Sequence, residues 1–359
     1  MEALRLLAMC FVLALHANFY SLGVPTAAQL EGNTLPAVLR LFLEEGALVA
    51  VNVFVLISGW FGIRPSWRGV SKLLTQVLFA AAVTFLIYVA YHRELPQAYL
   101  VVHTLCLGGG WWFVPAYLLL YLLAKPLNTF IDSCTPQQLL HFVLLYLGLQ
   151  LVYGTIYDFA NYDCGYSTLS FIGLYLLARY VRLHATRWKH YAARHFAAAY
   201  CIITLLLTGL YYANIRYHLP WEPLCLNYNS PFIILSSLSL LLCFAQLRFT
   251  NRAVNWLAGS SFAIYLIHIS PFLRGDLKQL FRYLWQHTDG IICLLTFTLT
   301  LVGIGLACIL IDKLRPLLPI KLSVIVKPED RAEQAESAPQ KEEIPHDKPY
   351  DKPHDTEAH

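Results

Sequence analysis

Apolar positions in this chain run in blocks rather than alternate. Stretches of roughly twenty apolar residues are separated by short segments rich in Gly, Pro, charge or polar amides, the length and pattern of membrane-crossing helices. Ten such segments can be marked, with approximate limits 3–22, 38–62, 73–91, 109–127, 139–157, 167–183, 196–214, 231–248, 254–273 and 291–312. The pattern predicts an all-α polytopic membrane protein of about ten transmembrane helices. The second segment is the least regular, because Glu44 and Glu45 interrupt it.

Composition agrees. Of 359 residues, 57% are hydrophobic and 13% charged, with a mean hydropathy of +0.52. Soluble domains carry about 25% charged residues, so a soluble protein is excluded. The net charge of +4 divides into −5 from Lys327 onward and +9 before it. Residues 1–326 therefore read as a transmembrane domain, and 327–359 as a charged, disordered tail whose histidines could bind a metal only weakly. The first segment lacks a strong basic start and a small-residue cleavage site, so it is expected to stay as a span.

Lys and Arg favour one set of short loops, thirteen against six, which predicts both termini in the cytoplasm. Nine cysteines form no C-x-x-C pair. Cys164 and Cys225 fall in external loops and are the pair open to a disulfide, whose geometry sequence alone does not supply.

The candidate chemistry starts on the first helix. Arg5 and His16 are eleven residues apart, about 20° after three turns and about 16 Å along the axis. They share a face, and His16 falls near the bilayer midplane if Arg5 lies at a surface. Ionisable groups at that depth usually face a protein interior or an aqueous cavity. Each residue also has a plainer reading: a snorkelling topology signal for Arg5, a helix–helix hydrogen bond for His16.

Other segments carry the same double reading. Asn52 and Ser58, in AVNVFVLISGW, serve either helix packing or a site. Arg64 and Arg68 follow, as loop charges or as an anion site. Glu44 and Glu45 read first as a solvated interfacial pair and second as a grip for a hydroxylated acceptor. The run GGGWW ending in Trp111 and Trp112 reads as an aromatic-lined entrance or an interfacial belt. Tyr265 and His268 lie three apart in the ninth segment, close to one face. The basic linker from Arg182 is a topology signal that could also attract phosphates. No P-loop or G-x-G-x-x-G fingerprint occurs, and nothing points to nucleic acid.

Taken together, the Arg-x10-His spacing of Arg5 and His16, VFVLISGW at 53–60, WWFVPAYLLLYLLAKP at 111–126 and SFAIYLIH at 261–268 resemble the acyltransferase family 3 membrane proteins over most of residues 1–320. The resemblance implies transfer of an acyl group, usually acetyl, from cytoplasmic acyl-CoA to a hydroxyl or amine of a cell-envelope or exported carbohydrate. It implies a bacterial cytoplasmic membrane, acetyl-CoA as acyl donor, no metal, and a carbohydrate or lipid-linked saccharide acceptor. His16 matches the family's essential histidine and Arg5 its paired arginine; Arg64 and Arg68 resemble its basic positions more loosely. Asn52, Ser58, Trp111, Trp112, Tyr265 and His268 are taken as acceptor-binding candidates. Larger members add an extracytoplasmic hydrolase-like domain, and no such second step is expected from the short charged tail. Two other readings stand beside the enzyme: a transporter or exporter of a polysaccharide or lipid-linked sugar, for which no inverted repeat is visible, and a sensor without catalysis.

Overall fold

The computed structural model describes residues 1–317 except 33, 108–109, 158–161 and 248–249. Two glycines of the GGGWW run, Arg248 of the basic loops and the charged tail therefore lie outside the described residues. Within them helix is the dominant structure and there is no strand. In order, the helices are α1 (Glu2–Ala17), α2 (Phe19–Leu22), α3 (Ala27–Gly32), α4 (Thr34–Ala47), α5 (Val49–Phe61) and α6 (Trp67–His92). They continue with α7 (Ala98–Leu105), α8 (Phe113–Ser133), α9 (Pro136–Leu151), α10 (Thr168–Leu183), α11 (Ala193–Tyr217) and α12 (Glu222–Leu226). The last are α13 (Pro231–Gln246), α14 (Arg252–Ala258), α15 (Ser261–His268), α16 (Arg274–His287) and α17 (Gly290–Leu314).

Among the described residues, eight helical stretches are long and apolar enough to cross a membrane. They coincide with eight of the ten expected segments. The other two depart for local reasons. The sixth, α10, is helical for 16 residues, begun by Ser167 accepting the Ser170 N–H. The ninth is broken: Gly259 and Ser260 divide α14 from α15, and the chain leaves helix again before Pro271. Its second half is short and almost wholly buried.

The centre of the molecule is α5, which packs on α10, α13 and α1. Its approach to α10 depends on Gly59, where a Cβ would lie 2.7 Å from the Tyr175 carbonyl oxygen and 2.8 Å from the Ala178 Cβ. All of α5 is buried except Phe54, Ser58 and the terminal Phe61. Phe54 and Ser58 are one turn apart and so share a face. At the outside, α17 is strongly apolar yet exposed at Leu294, Leu299, Val302, Leu306 and Leu310. Such a surface is suited to hydrocarbon rather than water. The protein is an integral membrane protein turned to lipid along this helix.

The end of α5 is pinned. The Ile63 N–H donates to the Tyr175 hydroxyl at 3.0 Å, and the Asn128 amide donates to the Ile63 carbonyl at 2.9 Å. Three residues on, the Ser66 N–H donates to the Tyr121 hydroxyl at 3.1 Å. The basic turn between α5 and α6 thus has a fixed backbone. At the opposite end of the molecule, α1 and α2 are separated at Asn18, and Cys164 and Cys225 are not joined by a disulfide.

Candidate active site

α1 is continuous from Glu2 to Ala17, so Arg5 and His16 do share one helix. The two occupy different surroundings. Arg5 is partly exposed, ion-paired to Glu2 at 2.6 Å, with its guanidinium 6.0 Å from the Phe61 ring centre at the end of α5. Three residues beyond Phe61 comes Arg64. Arg64 and Arg68 are exposed, and their guanidinium groups have no partner among the described residues. One end of the molecule therefore carries three arginines around a rigid turn.

His16 lines a cavity of about 350 Å³. The cavity follows α1 from Met9 to His16, about 10 Å of helix, and continues past Phe19 and Tyr20 of α2. On the Arg5 side of His16 the α1 part of the wall is apolar, with Met9 and Val12. On the other side Glu44, tied to Asn18 and the Phe19 N–H, stands in the wall, which also takes in Trp112, Tyr166 and Tyr228, and Tyr265 stands beside Phe113. Beyond Phe54 and Phe113 comes a neck. There Phe113 stacks on Tyr117 at 5.4 Å, and the Tyr117 hydroxyl meets Ser58 at 3.1 Å.

The chemistry of His16 follows from a chain of three groups. Nδ1 of His16 lies 2.7 Å from Nε2 of His268. Nδ1 of His268 is bound to the Ile264 carbonyl one turn back in α15. A carbonyl only accepts, so His268 carries its proton on Nδ1 and presents a lone pair at Nε2. His16 must then donate from Nδ1. Its own Nε2 is left with a lone pair and has no partner among the described residues. That is the tautomer a general base requires. Tyr20 closes the outer side of the ring, edge to face at 5.3 Å.

The broken ninth segment makes this pairing available. His268 is the last residue of α15, and the end of that helix leaves the Leu266 carbonyl to accept the Trp111 indole N–H at 3.1 Å. Ser270 then donates to Thr84 of α6 at 2.8 Å, fixing the chain beyond His268.

A model of the acyltransferase 3 family, described as an acyltransferase domain, matches residues 1–312. The chain belongs to the acyltransferase 3 family. It is a membrane acyltransferase, with an acyl donor, an acceptor and a lipid bilayer as the partners this implies. No curated protein and no solved structure matches it significantly.

Of the residues singled out from the family pattern, His16, Trp112, Tyr265 and His268 converge. His16, Trp112 and Tyr265 line the cavity, and His268 is bound to His16. Tyr265 also receives the Phe113 N–H at 3.4 Å. Ser58 sits at the neck. Asn52 is buried behind the wall, donating to the Tyr228 carbonyl at 2.9 Å and so holding an aromatic that lines the cavity. Trp111 is fully buried and supports α15 rather than facing the cavity.

Three residues turn out differently from their sequence reading. Glu44 and Glu45 are 6% and 1% exposed, not a solvated pair. Arg40, counted among the loop charges, is buried and binds Asn18 through Nε at 2.9 Å and the Gly23 carbonyl. Asn18, Tyr166 and Tyr228 join the site without having been singled out. Asn18 marks the break between α1 and α2, and the two tyrosines come from non-helical segments where no periodicity signals a buried face.

Proposed function

We propose that this acyltransferase takes an acyl group, acetyl in the first instance, from acyl-CoA on the cytoplasmic side and delivers it to a hydroxyl of a cell-envelope or exported carbohydrate. The observation that carries the proposal is the Ile264–His268–His16 chain at the wall of a cavity that has Met9 and Val12 on the Arg5 side of His16 and Glu44 with aromatic side chains elsewhere in its wall. Apolar side chains suit a thioester and its short acyl chain. A carboxyl among aromatics suits a sugar, whose hydroxyls and C–H faces need both kinds of contact.

In this scheme His16 Nε2 accepts the proton of the acceptor hydroxyl as its oxygen attacks the thioester carbonyl. The C–O bond forms, the C–S bond breaks, and the imidazolium returns the proton to the departing thiolate. His268 acts as a positioning residue: its Nε2 lone pair holds His16 in the reactive tautomer and takes up part of the charge formed on the ring. Attack by His16 itself, with an acyl-histidine intermediate, uses the same Nε2. Arg64 and Arg68, fixed at the backbone and free at the head, are suited to the anionic phosphates of the cofactor. Arg5 lies beside them, although its guanidinium already has Glu2 as a partner.

Purified protein in detergent tests this reading. Release of free thiol from acetyl-CoA, stimulated by added saccharides, is expected. A protein that only transports sugars would leave the thioester intact.

A further inference from the structure

Glu44 lies in the cavity wall with His16, yet the transfer scheme above gives it no task. Its position is built with some care. Oε2 receives the Asn18 side-chain amide at 2.8 Å and the Phe19 N–H at 3.4 Å. Asn18 in turn accepts from Arg40, one turn before Glu44 on α4, and its amide also reaches the Arg40 carbonyl at 2.8 Å. The same arginine spans to the Gly23 carbonyl and lies over the Trp285 ring at 5.2 Å. A buried arginine, an amide and a carboxyl thus form one connected group, joined to α1 two residues after His16.

The other oxygen is left over. Glu44 Oε1 has no partner among the described residues. Unlike both oxygens of Glu45, it is not sealed within the protein. With Glu44 in the cavity wall, that oxygen faces the cavity. This oxygen is open to a space of substrate size, where a bound hydroxyl can meet it. Around it stand Trp112, Tyr166 and Tyr228, with Trp112 4.4 Å from Tyr166 and stacked on Tyr228 at 6.3 Å.

We infer that Glu44 is a second anchor for the acceptor, taking one hydroxyl at Oε1 while His16 takes the proton of another on the same molecule. A carboxyl oxygen can bind a hydroxyl in either protonation state, as acceptor or as donor. The acceptor is therefore a polyhydroxylated ring, held by its C–H face on the aromatics and by two hydroxyls between Glu44 and His16. Monohydric alcohols lack the second contact. This rests on the transferase reading above and specifies the acceptor end of the same site.

The test compares cyclohexanol with 1,2-, 1,3- and 1,4-cyclohexanediol as minimal acceptors for acetyl transfer from acetyl-CoA, with thiol release followed in parallel. The wild type is expected to favour at least one diol over cyclohexanol by about ten-fold or more, chiefly in KM. Glu44→Gln keeps an oxygen for Asn18 and Phe19 but turns an amide to the cavity, and should shrink that preference; Glu44→Ala should remove it. The ratio is internal to each variant, so loss of folded protein does not alter it. A wild type that shows no diol preference, or transfers to none of the four alcohols while still releasing thiol, would overturn the inference alone. So would a preference that survives in both variants. A wild type that releases no thiol at all would overturn the transferase reading, and this inference with it.

Discussion

The residue that concentrates the argument is His268. Its ring does not line the cavity, and in the proposed scheme it fixes which nitrogen of His16 holds the proton. His268→Ala removes the acceptor for the His16 Nδ1–H and frees the ring to turn or adopt the other tautomer. Turnover should fall by about 10²-fold or more, since misdirecting a base forfeits most of its contribution. KM for acyl-CoA should stay near its original value. His268→Gln, whose amide oxygen can accept the same proton, should recover part of the loss. Steady-state kinetics on both variants check this, and a loss that is equal in the two and tracks protein abundance would make His268 merely a packing residue. Both histidines were visible in the sequence as ionisable groups within apolar segments. Their contact was not, because 252 residues separate them and a helical period says which face a residue occupies but not which helix it meets.

At the scale of elements, α5 holds the site together. It supplies Phe54 to the cavity and Ser58 to the neck, and its far end carries the basic turn. The Ser58–Gly59 pair shows how the two readings of that motif combine: the serine faces the neck, while the glycine lets α10 approach. Gly59→Ala should destabilise the protein by about 1–3 kcal/mol, because the added Cβ meets backbone of α10 that cannot swing aside. Gly209→Ala on α11 is the control. Its Cβ would meet nothing within 4 Å, so stability should be unchanged or slightly raised. Thermal unfolding of the two variants in detergent measures the difference, and equal midpoints would show that the α5–α10 approach carries no such constraint. Element types were legible in the sequence because long apolar runs leave little choice. The breaks were harder. Gly259–Ser260 and Pro271 are ordinary within a span by composition, and only the packing of α15 on α17 and α6 shows why the segment divides there. The burial of Glu44 was likewise hidden. A carboxyl near the end of a span looks solvated until Asn18 and Arg40 are seen to hold it.

Across the whole molecule the described helices pack around an apolar core in which the His16 cavity is set. α17 and its neighbours turn leucines outward, while the buried Arg40, Glu44 and His268 gather near α1 and its end and Asp312 stays apart on α17 with Gln76 and Arg315. The three arginines near the Arg5 end, Met9 and Val12 in the cavity wall, His16, and Glu44 at the break after α1 follow one another along the first helix and its end. In the proposed scheme, donor and acceptor use this order to approach a single ring nitrogen from opposite sides. The account stands or falls on that nitrogen. The most direct measurement is single-turnover transfer of radiolabelled acetyl from acetyl-CoA by wild type and His16→Gln, each reconstituted as folded protein and normalised to protein amount. An amide at position 16 preserves hydrogen bonding but cannot take up the acceptor's proton or carry the acyl group. We predict a rate lower by about 10²–10⁴-fold with acetyl-CoA still bound; transfer by folded His16→Gln at close to the wild-type rate would contradict the account.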